Sequence, residues 1–505
     1  MTQKSSYAQI LKSSTIMGGA AGINLLLGMV RTKFAAVLIG TTGVGLLASF
    51  TAIQGIVGAI AGLGIQSSAV REIAAAVGQG DEQAIGRAVL TLRRVCWLTG
   101  LTGMGTMIAL SPWLSQLTFG SEIYTLDIAA LGIVILFGNL SGGQLALIQG
   151  MRRIGDMARA NVYGAIFATL AAVGFYVWLG LRGIVPTLVS VAAMQLVLSW
   201  RFARRVPVPR VSLGWGQTFR EASGMVRLGL VFMINGLMGS AVSYFTVTLI
   251  TQKIGVQAVG IYSAAFALSG MFVNFVLGAM GADYYPRLTS VAHDKAAINR
   301  LVNEQTEIGL LLAIPGLLAT MVLAPWIVRL FYTSEFLPAV ELLQWFVMGC
   351  LGRVISWPLG FVMLAMGKSA HYGASEMVWN FLHATFIFVG VELIGVTGVA
   401  IAFFALYVVV TLQAYIIVRH LSGFFWSHGA KKLMLSSMFV FVSFVLVNTN
   451  STLLQSTVYG VLVFTITCFY CTSEVLLRLP DGHKLLRLAK MLRIKPGAKN
   501  NAWLP

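Results

Sequence analysis

The chain alternates between long apolar runs and short polar segments along almost its whole length. A helix needs about 20 predominantly apolar residues to cross the hydrocarbon core of a bilayer. Such runs are predicted around residues 22, 57, 103, 138, 168, 193, 236, 272, 315, 351, 383, 407, 440 and 464. The pattern therefore predicts an all-α polytopic membrane protein with about fourteen transmembrane helices.

Composition and charge agree with a membrane protein. The chain is 57% hydrophobic and only 10% charged, with a net charge of +18 and a mean hydropathy of +0.83, whereas soluble proteins carry about 25% charged residues. Most Lys and Arg fall in alternate connections, which are the N-terminus, residues 71–94, 151–159, 201–227 and 287–300, and the C-terminal tail. Because cytoplasmic loops accumulate these residues, both termini are predicted to be cytoplasmic, and no nucleic acid partner is expected. The first apolar run is interpreted as a retained helix and not as a signal peptide.

A short sequence pattern occurs twice. Ile39-Gly40 and Val44-Gly45 recur at a constant offset as Ile254-Gly255 and Val259-Gly260. Six predicted helices precede the second copy, and an even number gives both copies the same orientation in the membrane. The pattern predicts two six-helix lobes related by a parallel pseudo-two-fold axis. The predicted divisions are a first lobe (1–205), a cytoplasmic linker (206–221), a second lobe (222–420), and two extra helices with a basic tail (421–505).

No enzyme motif is found in the sequence. A phosphate-binding loop, a zinc-protease motif, a nucleophile elbow and a dinucleotide fingerprint are all missing. Cys468 and Cys471 form a C-x-x-C, but it lies inside an apolar run and is interpreted as two small residues on one helix face. No catalytic residue, metal or cofactor is predicted. The chain lacks its own ATP-hydrolysing domain, so active transport would draw on an ion or substrate gradient.

Three cations at predicted membrane depth are candidates for binding an anion. Arg31 and Lys33 are predicted to end the first helix on the outer side, and Arg353 lies near the middle of the tenth helix. A charge at the bilayer centre costs at least about 2.5 kcal/mol, so such residues usually face a cavity or a partner. Two interpretations are open for each site. Arg31 and Lys33 line a cavity or extend to lipid headgroups, and Arg353 lines a cavity or forms a buried structural pair.

A second set of polar residues is a candidate for ion coupling or gating. Glu376, Asn380 and His383 share one face of the eleventh predicted helix, so this face should meet protein or water and not lipid. Asp283 and Arg287 flank Pro286 at the predicted end of the eighth helix. The alternatives are a solvated carboxylate at the helix start for Glu376 and a hydrogen-bonded core histidine for His383.

Two motifs in the chain are similar to those of a known family. Residues 28–40 are followed by Gly43-Val44-Gly45, and Tyr285-Pro286-Arg287 occurs later. With these motifs the chain resembles the polysaccharide-transport branch of the multidrug/oligosaccharidyl-lipid/polysaccharide (MOP) exporter superfamily, where the first looks like the entry to helix 2 and the second like the ending of helix 8. The resemblance covers about residues 10–420. One departure concerns length, because the last helix pair is similar to that of fourteen-helix lipid II flippases.

The resemblance implies two lobes around a central cavity with alternating access, in a bacterial cytoplasmic (inner) membrane. It implies an undecaprenyl-pyrophosphate-linked oligosaccharide as substrate, as in O-antigen and lipopolysaccharide assembly, with membrane lipids and polysaccharide polymerases or other assembly proteins as partners. Arg31, Lys33 and Arg353 would then hold the pyrophosphate. Three alternatives remain open: a lipid II-type flippase, a drug/cation antiporter of the same superfamily, and a membrane enzyme of glycan assembly. The antiporter would favour buried carboxylates, and the enzyme would favour long outer loops.

Overall fold

The computed structural model describes the backbone of residues 3–209, 211–450 and 452–478. Side chains are described from Met17 onwards within these ranges, except at Ala279, Ala282, Thr449, Asn450 and Leu453. The predicted cytoplasmic cations Lys4 and Lys12 and the basic tail beyond residue 478 therefore lie outside the described side chains. In this part of the chain, the regular elements are α-helices and two short 3-10 turns, as the apolar pattern predicts.

The chain divides into two compact units. The first contains the described residues up to Ser263 together with Leu330–Glu335, and the second contains the remaining described residues. The helices of the first unit are α1 (Gln3–Gly62), α2 (Ile65–Gln79), α3 (Glu82–Phe119), α4 (Thr125–Gly150), α5 (Ile154–Leu179), α6 (Ile184–Ala203) and α7 (Trp215–Lys253).

The eighth helix begins in the first unit and continues into the second. The helices from this point are α8 (Val256–Ser290), α9 (Lys295–Val322), α10 (Ala324–Phe331), α11 (Ala339–Ala365), α12 (Ser369–Ile394), α13 (Thr397–Ser422), α14 (His428–Asn450) and α15 (Leu453–Arg478). The second unit has its own core, where buried residues of α8, α9, α11 and α13 meet. Tyr284 of α8 is almost fully buried there, and its hydroxyl donates to the carbonyl of Pro358 at 3.0 Å.

Twelve helical spans in the described residues are long and apolar enough to cross a membrane. Two of them, Met17–Gly62 with 46 residues and Ile154–Ala203 with 50, have about twice the required length. Each is interrupted, the first by non-helical backbone at Gly40 and the second by the 3-10 turn Gly180–Gly183. Each of these two spans is long enough for two crossings, so the twelve spans have the length for fourteen crossings, the number that the sequence predicts.

The repeated glycine pattern has the same backbone role in both copies. Gly40 has φ of 63° and interrupts α1, while Gly255 has φ of 121° and separates α7 from α8. Such positive φ values are readily adopted only by glycine. The copies also pack reciprocally: a Cβ on Gly45 would lie 2.0 Å from the Val256 carbonyl oxygen, and one on Gly260 would lie 2.1 Å from that of Thr41. Thr41 and Val256 are equivalent positions in the two copies, and reciprocal contacts of this kind are the signature of a two-fold axis.

Several predicted boundaries are wrong. Arg31 and Lys33 do not end the first helix, because it continues to the break at Gly40. Most of the predicted loop 71–94 is helical, since α2 extends to Gln79 and α3 begins at Glu82. Arg287 likewise lies inside α8, which continues past Pro286 to Ser290. A proline inside a membrane helix is tolerated where neighbouring groups form hydrogen bonds with the backbone atoms that the proline leaves without a partner.

The connection between α6 and α7 belongs to the first unit and packs against α3. A Cβ on Gly86 of α3 would lie 2.4 Å from a Val211 methyl group and 2.9 Å from the Pro209 carbonyl oxygen. The Arg94 guanidinium donates to the Leu213 carbonyl at 3.0 Å and lies 4.8 Å from the centre of the Trp215 ring. Helix α7 already begins at Trp215, inside the segment 206–221 predicted as a linker.

Candidate functional site

Three helices of the second unit, α11, α12 and α13, line an open cavity of about 370 Å³. This volume lies in the range of about 300–1,000 Å³ that small-ligand sites occupy. Its walls combine aromatic rings with a few polar groups. The polar and charged side chains that line it are Arg353 and Ser356 of α11, Tyr372, Glu376, Asn380 and His383 of α12, and Tyr407 of α13. The structure therefore brings together three of the residues predicted as site candidates, which are Arg353, Glu376 and His383.

Arg353 lies near the middle of α11, as predicted, and is partly buried. Its guanidinium donates to the side-chain oxygen of Asn274 on α8 at 3.0 Å. In the described part of the chain it has no ion pair with a carboxylate, so its charge remains available for a ligand. A guanidinium presents five donors in a fixed fork, and one bond to Asn274 leaves most of them for a bound anion.

The polar face of α12 lies along the cavity. The Glu376 carboxylate accepts a hydrogen bond from the Tyr372 hydroxyl one turn earlier, and the Asn380 amide donates to the Glu376 carbonyl at 2.7 Å. The His383 ring lies 6.1 Å from the Phe403 ring of α13. The opposite face of the same helix carries Phe381, which is 75% exposed. An exposed phenylalanine suits lipid, so the helix separates an apolar outer face from a polar inner face.

Tyr372 and Tyr407 are site residues that were not predicted. Tyr372 lies one helical turn before Glu376, a spacing that would have identified it. Tyr407 belongs to α13, which is apolar apart from a few residues, and no sequence pattern distinguishes its cavity position from a packing position. Asn274 was not among the predicted site residues either, because its contact with Arg353 depends on how α8 packs against α11.

Arg31 and Lys33 lie in the first unit and do not line this cavity. Arg31 is exposed and lies close enough to Tyr176 of α5 for an electrostatic interaction. The Lys33 ammonium is half-buried and donates to the backbone carbonyl of Tyr332, in the segment after α10 that belongs to the same unit. This carbonyl contact was not predicted, because α10 and the turn after it are too short to register as a membrane span.

Asp283 and Arg287 pair with each other on one exposed face of α8. Their closest nitrogen–oxygen distance is 3.2 Å, and the two side chains are 74% and 56% exposed. Exposed pairs of this kind contribute only about 0–1 kcal/mol, so the contact is a weak constraint. Neither residue lines the cavity between α11, α12 and α13.

The described residues contain no group of three or more His, Cys, Asp or Glu side chains that could hold a metal ion. All four cysteines are free thiols, and Cys471 of the C-x-x-C is buried. The polar groups that converge in the cavity are a guanidinium, a carboxylate, an imidazole, hydroxyls and an amide. They can bind a polar or charged solute by hydrogen bonds and charge.

The twelve membrane-length helical spans of the described residues define a polytopic membrane protein, and the polar cavity among helices of the second unit is a feature of membrane transporters. Residues 36–341 match the family model described as polysaccharide biosynthesis protein, and the chain belongs to this family. Among characterised relatives, the lipid III flippases of Escherichia coli and Shigella flexneri are 22% identical over 410 residues, which is 79% of this chain and 96% of each relative. These relatives indicate a transporter and not an enzyme.

Solved structures show the same fold. The lipid II flippase MurJ in an inward closed conformation has a TM-score of 0.67 at 12% identity, over 92% of this chain and 99% of that one. An inward-facing multidrug resistance MATE family transporter of the MOP superfamily has a TM-score of 0.62 at 15% identity, over 79% and 95%. The chain thus has the fold of the MOP superfamily, as the sequence resemblance predicted.

Proposed function

We propose that this protein is a flippase for a lipid-linked glycan precursor. More specifically, it transfers an undecaprenyl-pyrophosphate-linked oligosaccharide, the repeat unit of O-antigen or a similar surface polysaccharide, from the cytoplasmic to the periplasmic leaflet by alternating access. The family and the lipid III flippase relatives support the substrate class. The distribution of Lys and Arg supports cytoplasmic termini.

The observation that carries the proposal is the guanidinium of Arg353 in the wall of the cavity, where it bonds to Asn274 and has no carboxylate partner among the described residues. A pyrophosphate carries concentrated negative charge and cannot enter hydrocarbon unless donors replace its hydration. Arg353 would supply charge-assisted hydrogen bonds, while Asn380 and Tyr407 add neutral donors suited to phosphate or sugar hydroxyls. Arg31 and Lys33 would contribute at the first unit. A drug/cation antiporter would need a cavity dominated by carboxylates, and Glu376 alone does not provide one.

We further propose that Glu376 and His383 link transport to an ion gradient, with Asp283 and Arg287 acting at a gate. The support is placement: a carboxylate and an imidazole share the cavity with Arg353. When one of them gains or loses a cation, the field at the guanidinium changes, because charges interact strongly at low dielectric. The affinity for an anionic headgroup would then differ between the states of the transport cycle.

A lipid II-type precursor is the second candidate substrate. The likeness to MurJ extends over 92% of this chain, whereas the likeness to the MATE transporter extends over 79%. The longer match is consistent with the prediction that the last two helices resemble those of fourteen-helix lipid II flippases. The two candidates differ in phenotype: loss of a lipid II flippase stops peptidoglycan synthesis, whereas loss of a surface-glycan flippase removes only that glycan.

The proposal is tested by deleting the gene and measuring lipid-linked oligosaccharide in the cytoplasmic leaflet. We expect accumulation that wild type reverses and Arg353→Ala does not. A charged hydrogen bond contributes about 1.5–3 kcal/mol, so transport by Arg353→Ala should fall roughly 10- to 100-fold. Arg353→Lys keeps the charge and should retain partial transport. Arg300→Ala removes an exposed arginine of α9 and should transport normally. Full rescue by Arg353→Ala would make Arg353 a structural residue, and normal surface glycan in the deletion strain would refute the function.

A further inference from the structure

A second cavity lies in the first unit, between α3, α4 and α6. Its volume is about 650 Å³. The residues that line it come from the first part of α3 and the last parts of α4 and α6, so it lies at one end of these helices. The same end carries many of the arginines of the first unit, including Arg87, Arg153 and Arg201. We call this cavity the arginine-end groove.

The inner wall of the arginine-end groove is apolar and its rim is open. Leu92 and Leu147 form part of the wall and are 1% and 2% exposed, whereas Trp97, Val197 and Trp200 at the rim are about half exposed. In a membrane helix bundle, apolar side chains exposed at the rim face lipid. Tryptophan rings at this level suit the boundary between headgroups and hydrocarbon. The groove therefore offers an apolar slot that an acyl chain can enter from the bilayer.

Contacts between helices hold the groove open. The Ser199 hydroxyl of α6 donates to the Gln144 side chain of α4 at 2.6 Å. Helices α3 and α4 approach so closely that a Cβ on Gly143 would lie 2.6 Å from the Cys96 sulfur. The walls are thus set by interhelical packing before any ligand enters, which lowers the ordering cost of binding.

Two arginines lie at one end of the slot. Arg93 is exposed one helical turn before Trp97, and the Arg204 guanidinium lies 4.5 Å from the centre of the Trp200 ring. Neither has an ion pair with a carboxylate in the described part of the chain, and the residues that line the groove include no Asp or Glu. An apolar slot that ends in two uncompensated guanidinium groups is complementary to a lipid with an anionic headgroup.

We propose that the arginine-end groove binds one anionic phospholipid. Its phosphate lies between Arg93 and Arg204, and one acyl chain lies along the slot between α3, α4 and α6. This site is separate from the cavity between α11, α12 and α13, and it does not depend on what the protein transports. A bound lipid joins three helices of the first unit and stabilises their packing.

Native mass spectrometry of the full-length protein in detergent tests this site, with phosphatidylglycerol or phosphatidylcholine added. Wild type should retain phosphatidylglycerol in preference to phosphatidylcholine. Arg93→Gln combined with Arg204→Gln should weaken phosphatidylglycerol retention roughly 25-fold, because each arginine contributes about fivefold. The matched control combines Arg201→Gln with Arg220→Gln, two exposed arginines that do not line the groove, and should bind as wild type does.

A third variant separates the slot from the charges. Val197→Trp narrows the mouth of the groove but keeps both arginines, and it should also weaken retention of the phospholipid. Equal loss in the Arg201 and Arg220 control would overturn the site, because it would show binding to general surface charge. Undiminished retention by the Arg93 and Arg204 variant or by Val197→Trp would overturn it as well. Retention of undecaprenyl phosphate without phosphatidylglycerol would show that the groove takes a different lipid from the one proposed.

Discussion

The charged and polar residues predicted as site candidates fall into two groups by their location. Arg353, Glu376 and His383 share one cavity, while Arg31, Lys33, Asp283 and Arg287 make their contacts elsewhere. The sequence predicted the first three because charged and polar residues are rare at membrane depth and need protein or water around them. It could not predict that they converge, because convergence depends on the packing of α11, α12 and α13.

Glu72 lies on α2, outside the membrane-spanning helices, and carries a pH-dependent contribution to stability. Burial raises the pKa of its carboxyl above the ordinary value of 4.5, and the nearby Glu221 carboxylate raises it further, while Arg71 acts in the opposite direction. The folded protein therefore favours the protonated carboxyl more than the unfolded chain does. The stabilising contribution of protonated Glu72 is complete below pH 4.5 and is lost as the pH rises through the folded-state pKa.

Glu72→Gln should consequently raise the thermal midpoint at neutral pH, and the difference from wild type should shrink as the pH falls towards 4.5. The measurement is thermal unfolding of the detergent-solubilised protein over this pH range. Glu122→Gln, an exposed carboxylate between α3 and α4, serves as the control and should show no such convergence. A constant difference between Glu72→Gln and wild type at all pH values would contradict the account.

The helices were largely predictable because the bilayer sets their length. Each predicted centre lies within a helix of the structure, including the two long spans that are long enough for two crossings each. The elements that were missed are α2 beyond residue 70 and α10. Helix α2 mixes charged with apolar residues and α10 is short, so neither gives the long apolar run on which the prediction depended. Helix α2 is instead held by packing, since Ile65, Ala69 and Ile73 lie in the buried core of the first unit.

The reciprocal contacts at Gly45 and Gly260 should make both positions intolerant of a side chain. Either Gly45→Ala or Gly260→Ala places a methyl group against a backbone carbonyl of the opposite repeat copy. Overpacking of this kind costs about 1–3 kcal/mol, and the two variants should lose similar stability because their environments are related by the pseudo-two-fold axis. Thermal unfolding in detergent measures the loss. Gly58→Ala is the control, since a Cβ there meets no atom within 4 Å; equal midpoints for Gly58→Ala and Gly45→Ala would refute the close contact.

Arg94 should hold the connection between α6 and α7 against α3. Its guanidinium bonds to the Leu213 carbonyl and the Thr218 hydroxyl and stacks on Trp215. Loss of these contacts in Arg94→Gln should release the segment, and limited trypsin digestion after Arg204 and Arg205 should be several-fold faster. Arg300→Gln removes an exposed arginine of α9 in the second unit and should leave the rate unchanged. Equal cleavage of both variants would show that other contacts hold the connection.

At the scale of the whole molecule, the repeated glycine pattern relates two parts of the chain. An even number of helices separates the two copies, which gives them the same orientation. Gly45 approaches Val256 and Gly260 approaches Thr41, so the contacts between the copies are reciprocal. The division into lobes at residues 205 and 222 remains a prediction, as does the cytoplasmic side of both termini. The substrate was not predictable from the fold alone, because MATE transporters and MurJ share it at 15% and 12% identity.

Transport of a lipid-linked anionic headgroup can be measured with the purified protein in vesicles. Vesicles carrying an undecaprenyl-pyrophosphate-linked oligosaccharide are probed for the sugar that appears in the opposite leaflet with time. We expect transfer well above that in protein-free vesicles for wild type and Arg300→Ala, and transfer reduced roughly 10-fold or more for Arg353→Ala. Wild-type transfer no faster than in protein-free vesicles, under either a proton or a sodium gradient, would refute the proposed flippase function.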